Sequence, residues 1–180
     1  WRFKVAEPCH GFINQTYRSL FNLLPGLEYV KCTPEEKLAR YDVEFGVDVI
    51  LNFTNGQMAT IQEKVLTTQF STVTVEYYQD WRNEIPGDWF NLMCDFYFVG
   101  YTNSKSNELD RWILLDWNKV KMAGDIIRWQ ARENQGDGAM ANFRYAHFDA
   151  FPSDCVVAKY LNGGLSKRAI PQGSPQQPLF

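Results

Sequence analysis

Apolar and polar positions follow two different periods along the chain. Residues 8–24 carry apolar side chains at helical spacing and Pro25-Gly26 ends the run, so the pattern predicts an amphipathic helix. From Tyr41 onward the period is two, which is typical of strands. The predicted strands cover Leu27–Cys32, Tyr41–Phe53, Gln57–Leu66, Phe70–Gln79, Phe96–Tyr101, Trp112–Asp116 and, as the last one, Asn142–Phe151.

Helical signals also occur between and after these strands. Thr33-Pro34 has the form of a helix start, with Thr as N-cap and Pro at the first helical position. We expect a helical turn over Trp89–Met93 and a longer, partly basic helix over Trp117–Arg132. Residues 163–180 are rich in Gly, Ser, Gln and Pro, which predicts a poorly packed tail after a single domain over residues 1–162. The order of elements predicts an α+β fold with a mixed central β-sheet flanked by helices.

The strongest local signal is a β-hairpin. Asn55-Gly56 lies between two apolar, β-rich runs, which is typical of a tight turn between paired strands. Because side chains alternate across a strand, Gln62 and Lys64 share one face, while Glu63 points to the other. Asp48 lies within the apolar first strand, where a carboxylate needs a partner or a metal. The hairpin can therefore bring a carboxylate, an amide and an ammonium into one cluster.

These residues resemble the PD-(D/E)xK nuclease superfamily, the fold of many restriction enzymes, junction resolvases and phage exonucleases. The family places an Asp on one strand of a hairpin and an acid-x-Lys on the next, and here Asp48 is followed by Gln62-Glu63-Lys64. The resemblance covers residues 35–101. It implies a restriction-endonuclease-like sheet and a metal-dependent endonuclease or exonuclease that hydrolyses phosphodiester bonds of nucleic acid, with DNA as the expected substrate.

The resemblance also implies a role for each residue. Asp48, the amide oxygen of Gln62 and the backbone carbonyl of Glu63 would hold Mg²⁺ or Mn²⁺. Lys64 would orient the attacking water or stabilise charge in the transition state. Gln62 departs from the family, which usually has an acid there, and an uncharged amide should lower metal affinity. Further candidate ligands are Glu35, Glu36 and Glu76.

Composition and charge narrow the possible functions. The chain has 180 residues, of which 45% are hydrophobic, 22% charged and 16% aromatic, as expected for one globular domain with a ring-rich core. Its formal net charge of −3 argues against a protein that coats DNA, since such proteins usually carry a basic excess. The charge is compatible with an enzyme whose basic residues line one groove or whose metal supplies local positive charge.

The cysteines and the apolar runs bear on the setting of the protein. Four scattered cysteines without a CxxC pair argue against a zinc ribbon and favour a reduced, cytoplasmic location. Apolar runs are too short for a membrane span and no leader is visible, so we expect no membrane association. The chain begins at Trp1, so we expect residues to precede it in the intact protein. His10 and His147 are expected to be structural or surface groups.

Two other functions remain open at this stage. A non-catalytic binding module would stack sugars or bases on aromatic side chains, for which the candidates are Tyr77, Tyr78, Trp81, Trp89, Tyr97 and Tyr101. A degenerate superfamily member would keep the fold and serve as an assembly subunit, an alternative that Gln62 favours. If the protein nicks both strands of a duplex, a homodimer is expected.

Overall fold

Two β-sheets, one long helix and several short helical segments form the computed structural model, which describes residues 7–21, 23, 28–29, 46–68, 70–102, 107–133 and 140–168. The strands are β1 (Glu28–Tyr29), β2 (Val49–Asn52), β3 (Met58–Leu66), β4 (Thr72–Asp80), β5 (Ile85–Pro86), β6 (Phe96–Tyr101), β7 (Arg111–Asp116), β8 (Gln130–Glu133), β9 (Asn142–His147), β10 (Val156–Leu161) and β11 (Gly164–Lys167). The α-helices are α1 (His10–Leu20), α2 (Asp88–Asn91) and α3 (Trp117–Met122), and short 3₁₀ segments cover Glu7–Cys9 and Phe148–Ala150.

The strands form two sheets of different size. Within the described residues, the larger sheet has seven strands in the order β1-β2-β3-β6-β7-β10-β11, and the smaller has four in the order β5-β4-β9-β8. Of the strand pairs that the structure describes in the larger sheet, only β3 and β6 are parallel, with Lys64 opposite Val99. The chain between these two strands contributes β4 and β5 to the smaller sheet.

The larger sheet separates two apolar clusters. On one face, Ile13, Tyr17 and other α1 side chains pack against Leu51, Ile61 and further sheet residues. The smaller sheet covers the other face. Its inward-facing side chains join a second apolar cluster, which lies over β6 and β7. That second cluster includes Val73, Val75, Ala146, Tyr97, Ile113 and Trp117. The core therefore lies in two layers, one beneath α1 and one between the sheets.

The predicted α+β class with a mixed sheet is confirmed, and the predicted arrangement of helices on the sheet is corrected. The second face of the larger sheet is covered by another sheet, and the predicted strand Phe70–Gln79 lies in that sheet as β4. The hairpin of β2 and β3 forms as predicted, with Asn52 opposite Met58. Of the predicted first strand, Glu28–Tyr29 pairs with β2.

The helix predicted over Trp117–Arg132 is wrong in its second half. Asp116 caps α3 by accepting a hydrogen bond from the backbone amide of Lys119 at 3.2 Å, and the helix ends at Met122, ahead of Gly124. Residues 130–133 instead form β8, because β9 supplies partners for their backbone groups. Helical spacing of a few apolar residues did not reveal that long-range pairing.

The predicted end of the folded domain also moves. Asn142–Phe151 is not the last strand: β9 stops at His147, and β10 and β11 follow as a hairpin. Gly164–Lys167, which belongs to the tail predicted over residues 163–180, is paired with β10. Residues 169–180 and the predicted helix start at Thr33-Pro34 lie outside the described residues.

Candidate functional site

Asp48 and Gln62 face each other where β2 begins. The backbone amide of Asp48 donates to the carbonyl of Ile61 at 2.9 Å, which continues the antiparallel ladder of β2 and β3 by one residue. Asp48 Oδ2 accepts hydrogen bonds from Gln62 Nε2 at 2.5 Å and from the backbone amide of Glu63 at 2.6 Å. The hairpin thus places the carboxylate and the amide in direct contact.

The backbone carbonyl of Glu63 converges on the same point. Gln62 Nε2 also donates to this carbonyl oxygen, at 3.2 Å. Two oxygens, one from Asp48 and one from Glu63, therefore surround a single positively polarised N–H₂ group. Rotation of the amide of Gln62 would add its own oxygen, and a carboxylate, a carbonyl and an amide are the ligand types that Mg²⁺ and Mn²⁺ prefer. The donor set fits a hard divalent cation.

Lys64 lies on the same strand face as Gln62, two residues along β3. Its Nζ donates to the backbone carbonyl of Thr74 at 3.0 Å, and the hydroxyl of Tyr97 donates to the same carbonyl at 3.2 Å. The ammonium of half-buried Lys64 therefore lies at the junction of the two sheets.

The side chain of Glu63 points to the opposite face, towards α1. Its Oε1 accepts a hydrogen bond from the hydroxyl of Tyr17 at 2.8 Å, and its Oε2 lies 3.9 Å from His10 Nε2. The pKa of Glu63 is raised to about 8, chiefly by burial; the hydrogen bond from Tyr17 opposes the shift, and the nearby charge of Asp48 adds to it. This buried cluster lies directly behind the Asp48 contact, and nothing in the sequence pattern indicated that Glu63 would find a partner on the helix.

Gly46 leaves room for this arrangement. Its φ of +60° is a left-handed backbone conformation that favours glycine. A Cβ at this position would overlap Leu92 Cδ2 and lie 3.0 Å from Gln62 Oε1. The close approach of the backbone to Gln62 therefore depends on the absence of a side chain at position 46.

Of the other proposed ligands, Glu76 lies within the described residues. Glu35 and Glu36 lie outside the described residues. Glu76 lies on β4 opposite Phe143, and its Cγ is close to the backbone of Gly87. Among the described residues, no three His, Cys, Asp or Glu side chains are grouped as a metal site. A cation held here would depend on Asp48, the amide of Gln62 and the carbonyl of Glu63.

A cavity of about 950 Å³ adjoins Lys64 on the outer face of the smaller sheet. The charged, aromatic and imidazole side chains that line it are Lys64, Phe70, Arg132, Glu133, Phe143, Tyr145 and His147. Phe70 is 62% exposed, and Phe143 and Tyr145 are half-buried. Helical spacing placed Arg132 on a helix and gave no sign of its proximity to these rings, since β8 pairs with β9 only in the tertiary structure.

Three of the six rings predicted to form a stacking surface pack within or against the protein interior. Tyr97 and Tyr101 are only 1% and 2% exposed, and their hydroxyls donate to the carbonyls of Thr74 and Thr72. Trp89 packs edge-on against Trp117 and Trp129. These three rings are therefore packed in or against the core.

The cysteines within the described residues are free, buried thiols. These are Cys9, Cys94 and Cys155. Burial raises the pKa of Cys94 to about 12 and that of Cys155 to about 11. Because the thiolate is the nucleophile, neither group is suited to nucleophilic catalysis near neutral pH.

Comparison of the chain with protein-family models, curated proteins and solved structures gave no match. Among the described helices, none has the length and apolar character needed to cross a membrane. The function of the protein is therefore inferred from the geometry of the site.

Proposed function

We propose that this protein is a divalent-metal-dependent nuclease that hydrolyses phosphodiester bonds of DNA, with the restriction-endonuclease-like hairpin as its catalytic centre. The observation that carries the proposal is the convergence of Asp48 Oδ2 and the Glu63 carbonyl on the amide of Gln62. Lys64 supplies a cation on the same face of β3.

Three groups of this chain would hold the metal. Asp48 provides the charged ligand, and its position is set by the backbone amide of Glu63. Gln62 provides an amide oxygen after rotation of its side chain, and Glu63 provides its backbone carbonyl. When bound, Mg²⁺ or Mn²⁺ polarises the scissile phosphate and lowers the pKa of a bound water.

Lys64 would act on the charge that develops during phosphodiester hydrolysis. Lys64 is half-buried at the sheet junction, where a fixed charge is screened less than in bulk water. A preorganised cation of this kind stabilises negative charge on the phosphoryl oxygens without reorganising during the reaction. Lys64 also lines the cavity through which a strand could approach.

One observation favours the alternative function, a non-catalytic assembly protein with a nuclease-like fold. The amide of Gln62 donates to Asp48 and to the Glu63 carbonyl, so the chain itself supplies the positive partner for both oxygens. A site closed in this way is stable without a cation. The nuclease is expected to cleave DNA when a divalent metal is added, whereas the assembly protein is not.

Cleavage assays with substituted proteins test the nuclease function. We expect Mn²⁺- or Mg²⁺-dependent cleavage of plasmid or branched DNA that EDTA abolishes. Asp48→Ala and Lys64→Ala should lower the rate by about a hundredfold or more, as for the loss of one preorganised electrostatic group. Tyr97→Phe is the matched control, since it removes another hydrogen bond to the Thr74 carbonyl and keeps the ammonium.

Two outcomes would reject the nuclease function in favour of the assembly alternative. One is that the wild-type protein cleaves no DNA with either metal. The other is that folded Asp48→Ala and Lys64→Ala proteins keep the wild-type rate. Circular dichroism and thermal unfolding establish that each variant is folded before its rate is compared.

Substitution of Gln62 distinguishes a site that binds a metal weakly from a site whose oxygens are already occupied by the Gln62 amide. Gln62→Glu adds a carboxylate beside Asp48, so we expect Mn²⁺ to bind at least about tenfold more tightly, because affinity at such sites rises with ligand charge. Isothermal titration with Mn²⁺ measures the change. Gln57→Glu, at an exposed position after the hairpin turn, is the control for added charge alone. Equal affinities of Gln62→Glu and wild type would contradict the assigned ligand set.

A further inference from the structure

The cavity beside Lys64 has the smaller sheet as its floor. β4, β9 and β8 are neighbours in that order, and Thr74, Tyr145 and Gln130 lie opposite one another across them. Phe143 lies opposite Arg132 in the same way. Because opposite residues share a face, these side chains stand together on the outer face of the sheet, away from buried Ala146.

The aromatic rings lie along the central strand of this floor. Phe143 and Tyr145 are two residues apart on β9, so their rings are separated by roughly 7 Å along the strand. The hydroxyl of Tyr145 donates to Gln130 Oε1 at 2.6 Å, which restrains that ring. The exposed ring of Phe70 also lines the cavity.

Cations lie on both sides of this row. Lys64 binds the Thr74 carbonyl beside β4, and Arg132 is exposed on β8 at the other edge. Adjacent strands are about 4.8 Å apart, so the floor from β4 to β8 is only about 10 Å wide. A narrow row of rings between two cations suits a single line of bases and the phosphates of one backbone.

From this arrangement we infer that the cavity, here called the ring groove (Lys64, Phe70, Arg132, Phe143, Tyr145), binds single-stranded nucleic acid and delivers an unpaired end to the catalytic centre. The inference rests on the proposed function, because Lys64 belongs to both sites. Unpaired bases stack on the rings of Phe143 and Tyr145. The bases of a duplex cannot do so, because they are already stacked on one another. Arg132 contacts the phosphate backbone.

Binding in EDTA tests the inference without cleavage. The probe is a short fluorescein-labelled oligodeoxythymidine, compared by fluorescence anisotropy with a duplex of equal length at low salt. We expect the single strand to bind at least about tenfold more tightly than the duplex. Phe143→Leu and Arg132→Gln should each weaken single-strand binding by about fivefold or more, through lost stacking and lost phosphate contact.

Matched controls lie outside the groove. Phe90→Leu removes a 46% exposed ring, and Arg128→Gln removes an exposed cation from the segment before β8. Both should leave binding unchanged, and the conservative Phe143→Leu substitution keeps apolar volume on the sheet. Absence of single-strand binding, equal binding of the duplex, or equal weakening by the controls would overturn the inference.

The cleavage assay separates this inference from the proposed function. One outcome would support the nuclease and overturn the ring groove. In that outcome, Asp48→Ala abolishes metal-dependent cleavage of a single-stranded substrate, whereas Phe143→Leu and Arg132→Gln leave it unchanged. Specific single-strand binding by a protein that cleaves nothing would overturn the nuclease and the delivery of an end to it, and would support single-strand binding in the ring groove.

Discussion

Single side chains around the hairpin divide into two groups that face opposite directions. Gln62 and Lys64 point towards the smaller sheet, while Glu63 points towards α1, where Tyr17 and His10 lie close to its carboxyl. A carboxyl with 5% of its side chain exposed is costly to ionise. Its backbone amide, however, holds Asp48 in place. Glu63 therefore contributes to the site through its main chain, and its side chain ties β3 to the helix.

The buried carboxyl of Glu63 should make stability depend on pH. Its pKa of about 8 lies above the ordinary value of 4.5, so the folded protein retains a proton that the unfolded chain loses. This contribution to the free energy of unfolding is fully present below about pH 4.5 and is lost as the pH rises through about 8. The total loss is on the order of a few kcal/mol. Urea unfolding at pH 5 and pH 8 measures it. In Glu63→Gln, the free energy of unfolding should fall less between pH 5 and pH 8 than it does in the wild type.

A control substitution checks that this pH dependence belongs to the buried group. Glu133→Gln removes an exposed carboxyl from the rim of the ring groove. It should leave the decline between pH 5 and pH 8 as in the wild type. An undiminished decline in Glu63→Gln would show that another group is responsible.

Among the secondary-structure elements, the β2–β3 hairpin is the one that creates the site. Its turn is set locally by Gly56, which has φ of +82° and no heavy atom within 4 Å of the place that a Cβ would occupy. The start of the hairpin is set by Gly46, where Leu92 and Gln62 fill the space of a side chain. Both glycines have positive φ, but only Gly46 is also constrained by neighbours. The approach to β2 is therefore a tertiary feature and the turn a local one.

Alanine substitution at the two glycines measures this difference. Gly56→Ala should destabilise by about 1 kcal/mol, the cost of a left-handed backbone for a residue with a Cβ. Gly46→Ala carries the same cost plus the overlap with Leu92, for a total of roughly 2–4 kcal/mol. Urea unfolding gives both values, and equal values would contradict the assigned packing. Through Gln62, Gly46→Ala should also lower metal-dependent cleavage.

The molecule as a whole depends on how its two sheets are joined. Along β4, backbone carbonyls turn to the larger sheet and accept side-chain hydrogen bonds. Tyr101 donates to Thr72 at 2.5 Å, while Tyr97 and Lys64 donate to Thr74. These bonds satisfy carbonyls on a stretch of β4 that lies beyond its pairing with β5, and they hold the ring groove next to the hairpin.

Removing one of these hydrogen bonds should weaken the packing of the two sheets against each other. Tyr101→Phe leaves the buried carbonyl of Thr72 without its donor and should destabilise the protein by about 1–3 kcal/mol. Tyr160→Phe is the control, because it removes a phenol hydroxyl from a half-buried ring on β10. Urea denaturation followed by tryptophan fluorescence compares them. Equal stabilities of the two variants would contradict a role for the Tyr101 bond.

Local patterns predicted much of this protein. The β2–β3 hairpin, the strand Phe96–Tyr101 and the amphipathic helix α1 follow from alternation, turn residues and helical spacing, which act between near neighbours. The same alternation placed Gln62 and Lys64 on one face and Glu63 on the other. Direct contact of Asp48 with Gln62 followed from the hairpin register, since the turn sets which residues lie opposite each other.

Tertiary structure decided everything that depends on distant partners. Gln130–Glu133 became a strand because β9 lay beside it, which is how Arg132 came to flank Phe143. Likewise, Glu63 met Tyr17 across 46 residues, and the carbonyls of β4 met Tyr97 and Tyr101. Periodicity describes the environment of a residue but not the identity of its partner, because pairing and burial are set by the packing of whole elements.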